Sequence, residues 1–446
     1  MGEARFPSEQ ADWLGVGEAL HRILRSAHPL PRANRPLSQA LDHVLAQEVV
    51  APVSLPPWDN AGMDGYALRS SDLDGFPSEG VALPVVGAVH AGAPLQDGPE
   101  PGQAVRIMTG APVPRGLDTV VRVEDTDREA GHPGHVRILD DRDRASNVRA
   151  GGEDMRAGDL LLPSGVQITP GRIAVLAAAG VDPVPVIPFP RVAILPTGDE
   201  LRPPADYDDV RSGVAIPESN GPALAAACTA SGAAIPLQFP PTPDRTEDLA
   251  SAILRAAEEA HVLVTTGGAS MGTADLVKTV LAQLGFQMDF WRVAMRPGSP
   301  LSFGHLPRES GPPLPVFGLP GNPASAFVTF QLFVRPFILR LAGRSQIHRP
   351  VVDASAGESF AAHPRRALFP RVVLEVDDTG GLVALPTGPQ GSGLVGSLGR
   401  AHGLAVVPAG PPCAAGTPLR VLLLDDGPAG LDEAGYLDAL GHPGDA

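Results

Sequence analysis

Residues 261–275 read HVLVTTGGASMGTAD, and LVKTVLAQLG follows at 276–285. The opening apolar run has the length of a buried strand, and the run after Asp275 repeats its apolar residues at helical spacing. Between them lie two threonines, a glycine pair and a stretch of small residues. That is a strand–loop–helix unit of an open α/β sheet. Gly267, Gly268 and Gly272 let the backbone approach a ligand closely, and free N–H groups at a helix start favour an anion. The loop lacks the Gly-Lys-Ser/Thr ending of a P-loop, and Ala269 breaks a G-x-G-x-x-G match. Read alone, it equally suits turn glycines with Asp275 opening a helix.

The same unit recurs on either side. RVAILPTGDEL (191–201) reads as strand then loop, NGPALAAACTASG as helix, and AAIPLQF as strand. PPTPD then leads into the helix TEDLASAILRAAEEA. QMDFWRVAM and LPVFGLPG read as strands, and ASAFVTFQLFVRPFILRLAG as one long helix. Such alternation predicts a doubly wound, three-layer αβα domain at 190–345. Upstream, 9–50 reads as mainly helical on the spacing in SQALDHVLAQEVV. Short β-type runs broken by Gly, Pro and Asp fill 51–150, and GRIAVLAAAG (171–180) returns to helix. The expected organisation is multidomain α/β plus β. A mixed lobe from 8–50 and 151–189 carries an inserted β domain at 51–150. The α/β domain follows, then a barrel-like β domain at 349–425 and a tail at 426–446.

Composition narrows the partners. The 446 residues carry a formal net charge of -16, which disfavours nucleic acid and anionic membrane. An anionic ligand must be met locally by arginine, a metal ion or backbone N–H groups. Lys278 is the only lysine, and the two cysteines, Cys228 and Cys413, are too few and too far apart for a disulfide framework or a Cys-rich metal site. Cys228, in an Ala-rich helical pattern, reads as a small core residue. Neither an apolar leader nor a membrane-spanning run is evident, so a cytoplasmic protein is expected.

In open α/β sheets, ligands bind beyond the carboxyl ends of the strands. Four loops present polar residues there: PTGDEL (196–201), PPTPD (240–244), TTGGASMGTAD (265–275) and GLPGNP (318–323). Asp199, Glu200, Asp244 and Asp275 would repel a phosphate unless a cation sat between them, which is the usual setting for Mg²⁺. Arg292 and Arg296, four apart in WRVAMRPGSP, are candidates for holding an oxyanion or for simple surface charge. Pro320 and Pro323 restrict φ and stiffen their loop. A second acidic cluster, Asp59 and Asp64 in PPWDNAGMDGYALR, lies near RIMTGAPVP and NVRAGGEDMRAGD, and Trp58, Met63 and Tyr66 are unusual in a bare linker.

Seven segments in order, PPWDNAGMDGYA, RIMTGAPVP, NVRAGGEDMRAGD, PRVAILPTGDEL, TTGGASMGTAD, AMRPGSP and GLPGNP, closely resemble the molybdopterin molybdenumtransferase (MoeA) family, which includes the gephyrin E domain. The resemblance implies four domains in an elongated homodimer, with the active site built across the dimer. It implies a Mg²⁺-dependent reaction in which adenylylated molybdopterin and molybdate yield molybdenum cofactor and AMP. By motif position, Asp59, Glu200, Asp244 and Asp275 would be the essential acids, with Glu200, Asp244 and Asp275 as metal ligands. Gly267, Gly268 and Ser270 would cradle the cofactor's phosphate, and Thr109 and Asp154 would gain a place from the opposing subunit. Arg292 and Arg296 would bind oxyanion, Pro320 and Pro323 would shape the molybdate pocket, and Ser392 in QGSGLVGS would approach it. The pathway's adenylyltransferase is an implied partner.

There are departures. Ser299 stands where the family usually has Lys, Ala61 and Gly62 where Ser-Ala is common, and His402 where Asn is usual. A non-catalytic molybdopterin-binding scaffold or a tuned paralogue is therefore the alternative reading. A generic nucleotide-phosphate hydrolase would leave 56–69 without a role.

Overall fold

The computed structural model describes residues 13–94, 96–267 and 276–424. At its centre is a six-stranded sheet. Its order is Ile235–Gln238, Arg191–Pro196, Val262–Thr266, Leu314–Leu319, Ser302–Leu306 and Gln287–Phe290. The first four strands run parallel. Ser302–Leu306 is antiparallel to Leu314–Leu319 and to Gln287–Phe290. The sheet is therefore mixed at one edge, and the strand at 302–306 was missed in the sequence reading. Its SFGHL sequence is short and interrupted by glycine, a weak strand signal.

Side chains alternate across this sheet, as the period of two requires. Val192, Ile194, Val262, Val264, Phe317 and Leu319 enter one core with helices Asn220–Thr229 and Pro323–Leu341. Ala193, Leu195, Leu263, Leu314 and Val316 enter the other with Thr246–Glu259 and Leu276–Gln283. Both faces are covered, which gives the three layers. Cys228 is fully buried in the first core, and burial pushes its thiol up to about 12. Pro323–Leu341 is continuous, with a π-helical stretch at Phe330–Val334. It is long and apolar enough to cross a membrane, but 83% of its most apolar window is buried in the protein.

The helical expectation for 9–50 needs correction. Only Val16–Arg25 is α-helix among the described residues there, and its Ala19 and Ile23 pack into the α/β core. SQALDHVLAQEVV instead forms a single 3₁₀ turn and short strands at Val44–Leu45 and Val49–Val50. These pair with Val184–Ile187 and Leu160–Leu162, far along the chain. Asp42 has φ +65°, which no α-helix tolerates. Non-local strand pairing overrides a local spacing that happened to suit a helix.

Between those pairings lies a five-stranded sheet ordered Thr119–Arg122, Gly65–Leu68, Ala104–Ile107, Val81–Val89, His135–Ile138. Beyond the α/β unit, five strands within 351–423 close into a barrel around Val372, Leu374, Ala384 and Val421. QMDFWRVAM is not one strand. Its last residue, Met295, forms with Arg296 a short strand that pairs with Ala367–Leu368 of the barrel region, and Phe369 and Leu404 join the α/β core.

Candidate functional site

The four strand-end loops surround one cleft of about 930 Å³. Thr197, Gly198 and Glu200 come from the first loop, Asp244 from the second, Thr266 and Gly267 from the third, and Pro320, Gly321, Asn322 and Pro323 from the fourth. Backbone bonds lock the loops together. Thr197 N–H donates to the Thr266 carbonyl at 2.9 Å, Thr242 N–H to Pro196 at 2.9 Å, and Gly198 N–H to Thr242 at 3.2 Å. Asp244 N–H donates to the Asp199 carboxylate at 3.1 Å, so Asp199 organises the second loop.

Two glycines make this closeness possible. Gly267 has φ +99°, and a Cβ on it would sit 2.5 Å from the Thr197 carbonyl oxygen. Gly198 has φ +146°, and a Cβ there would meet the Glu200 carboxylate at 2.7 Å. The Thr266 hydroxyl is buried with no hydrogen-bond partner among the described residues, an orphan donor at the base of the cleft.

Glu218, from IPESNGP, also lines the cleft and was not foreseen. It is buried, and burial raises its carboxyl above the usual glutamate range. It accepts from Gly221 N–H at 2.7 Å, pinning the start of a helix whose Asn220 amide donates to the Gly321 carbonyl at 2.7 Å. An acid one or two residues ahead of a helix start was the available signal, but it reads as ordinary capping.

The barrel region reaches in through Gly393 and Val395. Asn322 Nδ2 donates to Ser392 Oγ at 3.1 Å, and Ala324 N–H donates to the Ser392 carbonyl at 3.0 Å. Beneath this loop Arg371 is fully buried. Its Nε donates to Ser397 at 2.8 Å and an Nη to the Gly391 carbonyl at 3.1 Å, which sets the loop's shape. Arg371 gave no sequence signal, because its partners come from a loop 18–26 residues downstream.

Other expected residues lie elsewhere. The Arg292 guanidinium stacks over Trp291 at 3.9 Å and faces Trp13 at 5.5 Å. Arg296 is exposed on the short strand beside Ala367–Leu368. Neither is in the cleft's described lining; Ser299 donates to the Met295 carbonyl, while its neighbour Pro300 does line the cleft. Gly268, Ser270 and Asp275 lie outside the described residues. Asp59 accepts from Gly151 N–H at 2.8 Å, and Asp64 accepts from the Thr109 N–H and hydroxyl at 2.7 and 2.8 Å. Asp154 N–H donates to the Leu55 carbonyl at 3.1 Å. The β-domain motifs thus gather into one exposed cluster, apart from the cleft within this chain.

Among the described residues no three carboxylate, His or Cys groups form a closed metal cage. Mg²⁺ needs none, since it usually takes one or two carboxylates plus substrate phosphate and water. Glu200 and Asp244, both in the cleft lining, would supply such a donor set.

Fold and cleft together define a multidomain protein whose α/β core offers a large, acid-lined site at its strand ends. Residues 14–180 match the MoeA N-terminal region (domain I and II), 193–340 a probable molybdopterin binding domain, and 353–424 the MoeA C-terminal region (domain IV). The chain is 36% identical over 406 residues to molybdopterin molybdenumtransferase 2 of Mycobacterium tuberculosis, covering 90% of this chain and 96% of that one. It is 31% identical over 403 residues to the molybdopterin molybdenumtransferase of Staphylococcus aureus, covering 90% and 93%. A crystal structure of a molybdopterin biosynthesis MoeA protein from Pyrococcus horikoshii superposes with a TM-score of 0.78 at 29% identity, covering 93% of this chain and all of that one. The chain belongs to the MoeA, or molybdopterin molybdenumtransferase, family.

Proposed function

We propose that this protein inserts molybdenum from molybdate into adenylylated molybdopterin, releasing AMP, in a Mg²⁺-dependent reaction. The observation that carries the reading is the meeting of four strand-end loops in one cleft where carboxylates stand beside Gly267 and the Thr266 hydroxyl, which has no partner among the described residues. At about 930 Å³ the cleft has room for a pterin joined to a nucleotide, in the upper range of small-molecule sites.

In this reading the phosphate end sits near Thr197, Thr266 and Gly267, where the glycine backbone leaves no side chain in the way. Glu200 and Asp244 hold Mg²⁺, with Asp275 as a further acid; the ion supplies charge neutralisation on the phosphate as AMP leaves. Glu218 and Asn220 fix the wall facing Gly321. Pro320 and Pro323 keep the fourth loop rigid, and Ser392 brings the barrel loop over the opening.

The reading includes a cytoplasmic homodimer in which the Asp59, Asp64, Thr109 and Asp154 cluster of one subunit meets the cleft of the other. The exposure of Trp58, Met63 and Met108 beside that cluster supports a covered role for the surface. Arg292, Arg296 and Ser299 are proposed to act on oxyanion at the margin of the site, and the pathway's adenylyltransferase to deliver the substrate. The test is conversion of adenylylated molybdopterin with molybdate and Mg²⁺, followed by AMP release and cofactor formation. Absence of AMP release at saturating substrate and metal would overturn the reading.

A further inference from the structure

A second cavity, of about 500 Å³, lies where residues 42–44 and 165–172 meet residues 230–232 and 335–346. It shares no lining residue with the cleft. Arg172, Arg335 and Arg344 line it against a single carboxylate, Asp42. In a chain of net charge -16, such a local excess of cations is the reverse of the average.

The charges are poorly satisfied. The Arg344 side chain is only 9% exposed, and Asp42 Oδ1 is 4.0 Å from its Nη2. That Nη2 donates to the Gly232 carbonyl at 3.0 Å, but Nε is buried with no acceptor among the described residues. Arg335 donates from Nη1 to the Ile347 carbonyl at 3.2 Å, and its Nε is likewise buried without an acceptor. Asp42 is already engaged by Gln167 Nε2 at 2.8 Å. Burial, together with Arg349 and Arg344, pushes the Arg335 guanidinium down to about 10.

Backbone carbonyls account for one N–H of Arg344, one of Arg335 and one of Arg172, which donates to the Gln167 carbonyl. These bonds leave three guanidinium charges around one cavity, with a single carboxylate among its lining residues to balance them. A multivalent anion in the cavity balances that charge, because guanidinium groups bind phosphate oxygens in pairs.

We propose that this cavity is a binding site for a small anion of the phosphate class carrying two or more negative charges, such as a polyphosphate or a phosphate ester. The size fits a ligand of that kind. Because its walls come from the 42–44 and 165–172 segments on one side and the α/β core on the other, a bound anion ties these parts of the chain together. The site stands independently of the cofactor reaction.

The test is calorimetric titration of the full chain with pyrophosphate, alongside inorganic phosphate. Arg344→Gln is expected to weaken pyrophosphate binding at least tenfold. Asp42→Asn is expected to tighten it several-fold by removing the one repelling charge. Asparagine keeps the shape and readily adopts the positive φ found at residue 42, so this variant keeps the question answerable even if Arg344→Gln does not fold. Unchanged affinity in both variants overturns the site. Pyrophosphate binding that responds to Glu200→Gln but not to Asp42→Asn overturns it as well, by locating the anion in the cleft. Failure of AMP release in wild type leaves these titrations unaffected.

Discussion

Asn322 and Ser392, 70 residues apart, are joined by a 3.1 Å hydrogen bond from the amide to the hydroxyl. The bond fastens a barrel loop to the rigid Pro320–Pro323 turn that floors the cleft. Asn322→Ala is expected to lower stability by about 1 kcal/mol, the worth of one hydrogen bond, while raising the KM for the pterin substrate several-fold. Arg371→Met, which removes the loop's buried organiser, is expected to raise KM in the same way. Steady-state AMP release with thermal melts checks both; unchanged KM in both variants separates the barrel loop from substrate.

Gly267→Ala places a methyl group 2.5 Å from the Thr197 carbonyl, in a backbone conformation that L-residues avoid. The strain is on the order of 1–3 kcal/mol, and it falls where the first and third loops touch. Chemical denaturation should show the loss, and substrate binding should fall with it. A variant as stable as wild type would mean that the loops separate easily.

Glu200→Gln and Asp244→Asn keep shape and remove charge. AMP release should fall by two orders of magnitude or more at ordinary Mg²⁺, and raising Mg²⁺ should restore part of it. Wild-type rates with an unchanged Mg²⁺ dependence would remove both residues from the metal site.

Burial raises the Glu218 carboxyl above its unfolded value. Below about pH 4.3, the unfolded glutamate value, both states are protonated and the group costs nothing. As pH climbs through the raised folded value, the buried carboxylate increasingly destabilises the native state. Glu218→Gln, which can still accept from Gly221 N–H, should therefore be more stable than wild type at pH 8, with the difference closing toward pH 4. Denaturant midpoints across that range measure it; a gap that widens toward acid would contradict the assignment.

Ser299 stands one residue from the cleft-lining Pro300. Ser299→Lys adds the cation usual in the family and should lower the molybdate concentration needed for half-maximal turnover several-fold. An unchanged molybdate dependence would exclude this position from the oxyanion pocket.

Much of the α/β unit could be read in advance, since runs such as RVAILP and HVLVTT carry their own period and end in glycine-bearing loops. The loop acids Glu200 and Asp244 were legible for the same reason, as strand-end residues of parallel strands. SQALDHVLAQEVV misled because its apolar spacing is helical, while its fate is set by Val186 and Ile187 pairing with Leu45 and Val44. The approach of Trp13 to Arg292 was equally invisible, since the two lie far apart in sequence.

The sequence by itself determined most strands and helices of 191–341, Ser302–Leu306 and the break within QMDFWRVAM excepted, and that polar loops follow the parallel strands, because those choices rest on local period and turn chemistry. Only the tertiary structure decided that Glu218, Asn322 and the barrel loop shaped by Arg371 share one cleft, and that Arg335 and Arg344 face Asp42 in another. Those meetings depend on contacts between distant segments, whose energies are summed over the packed fold and leave no mark on neighbouring residues.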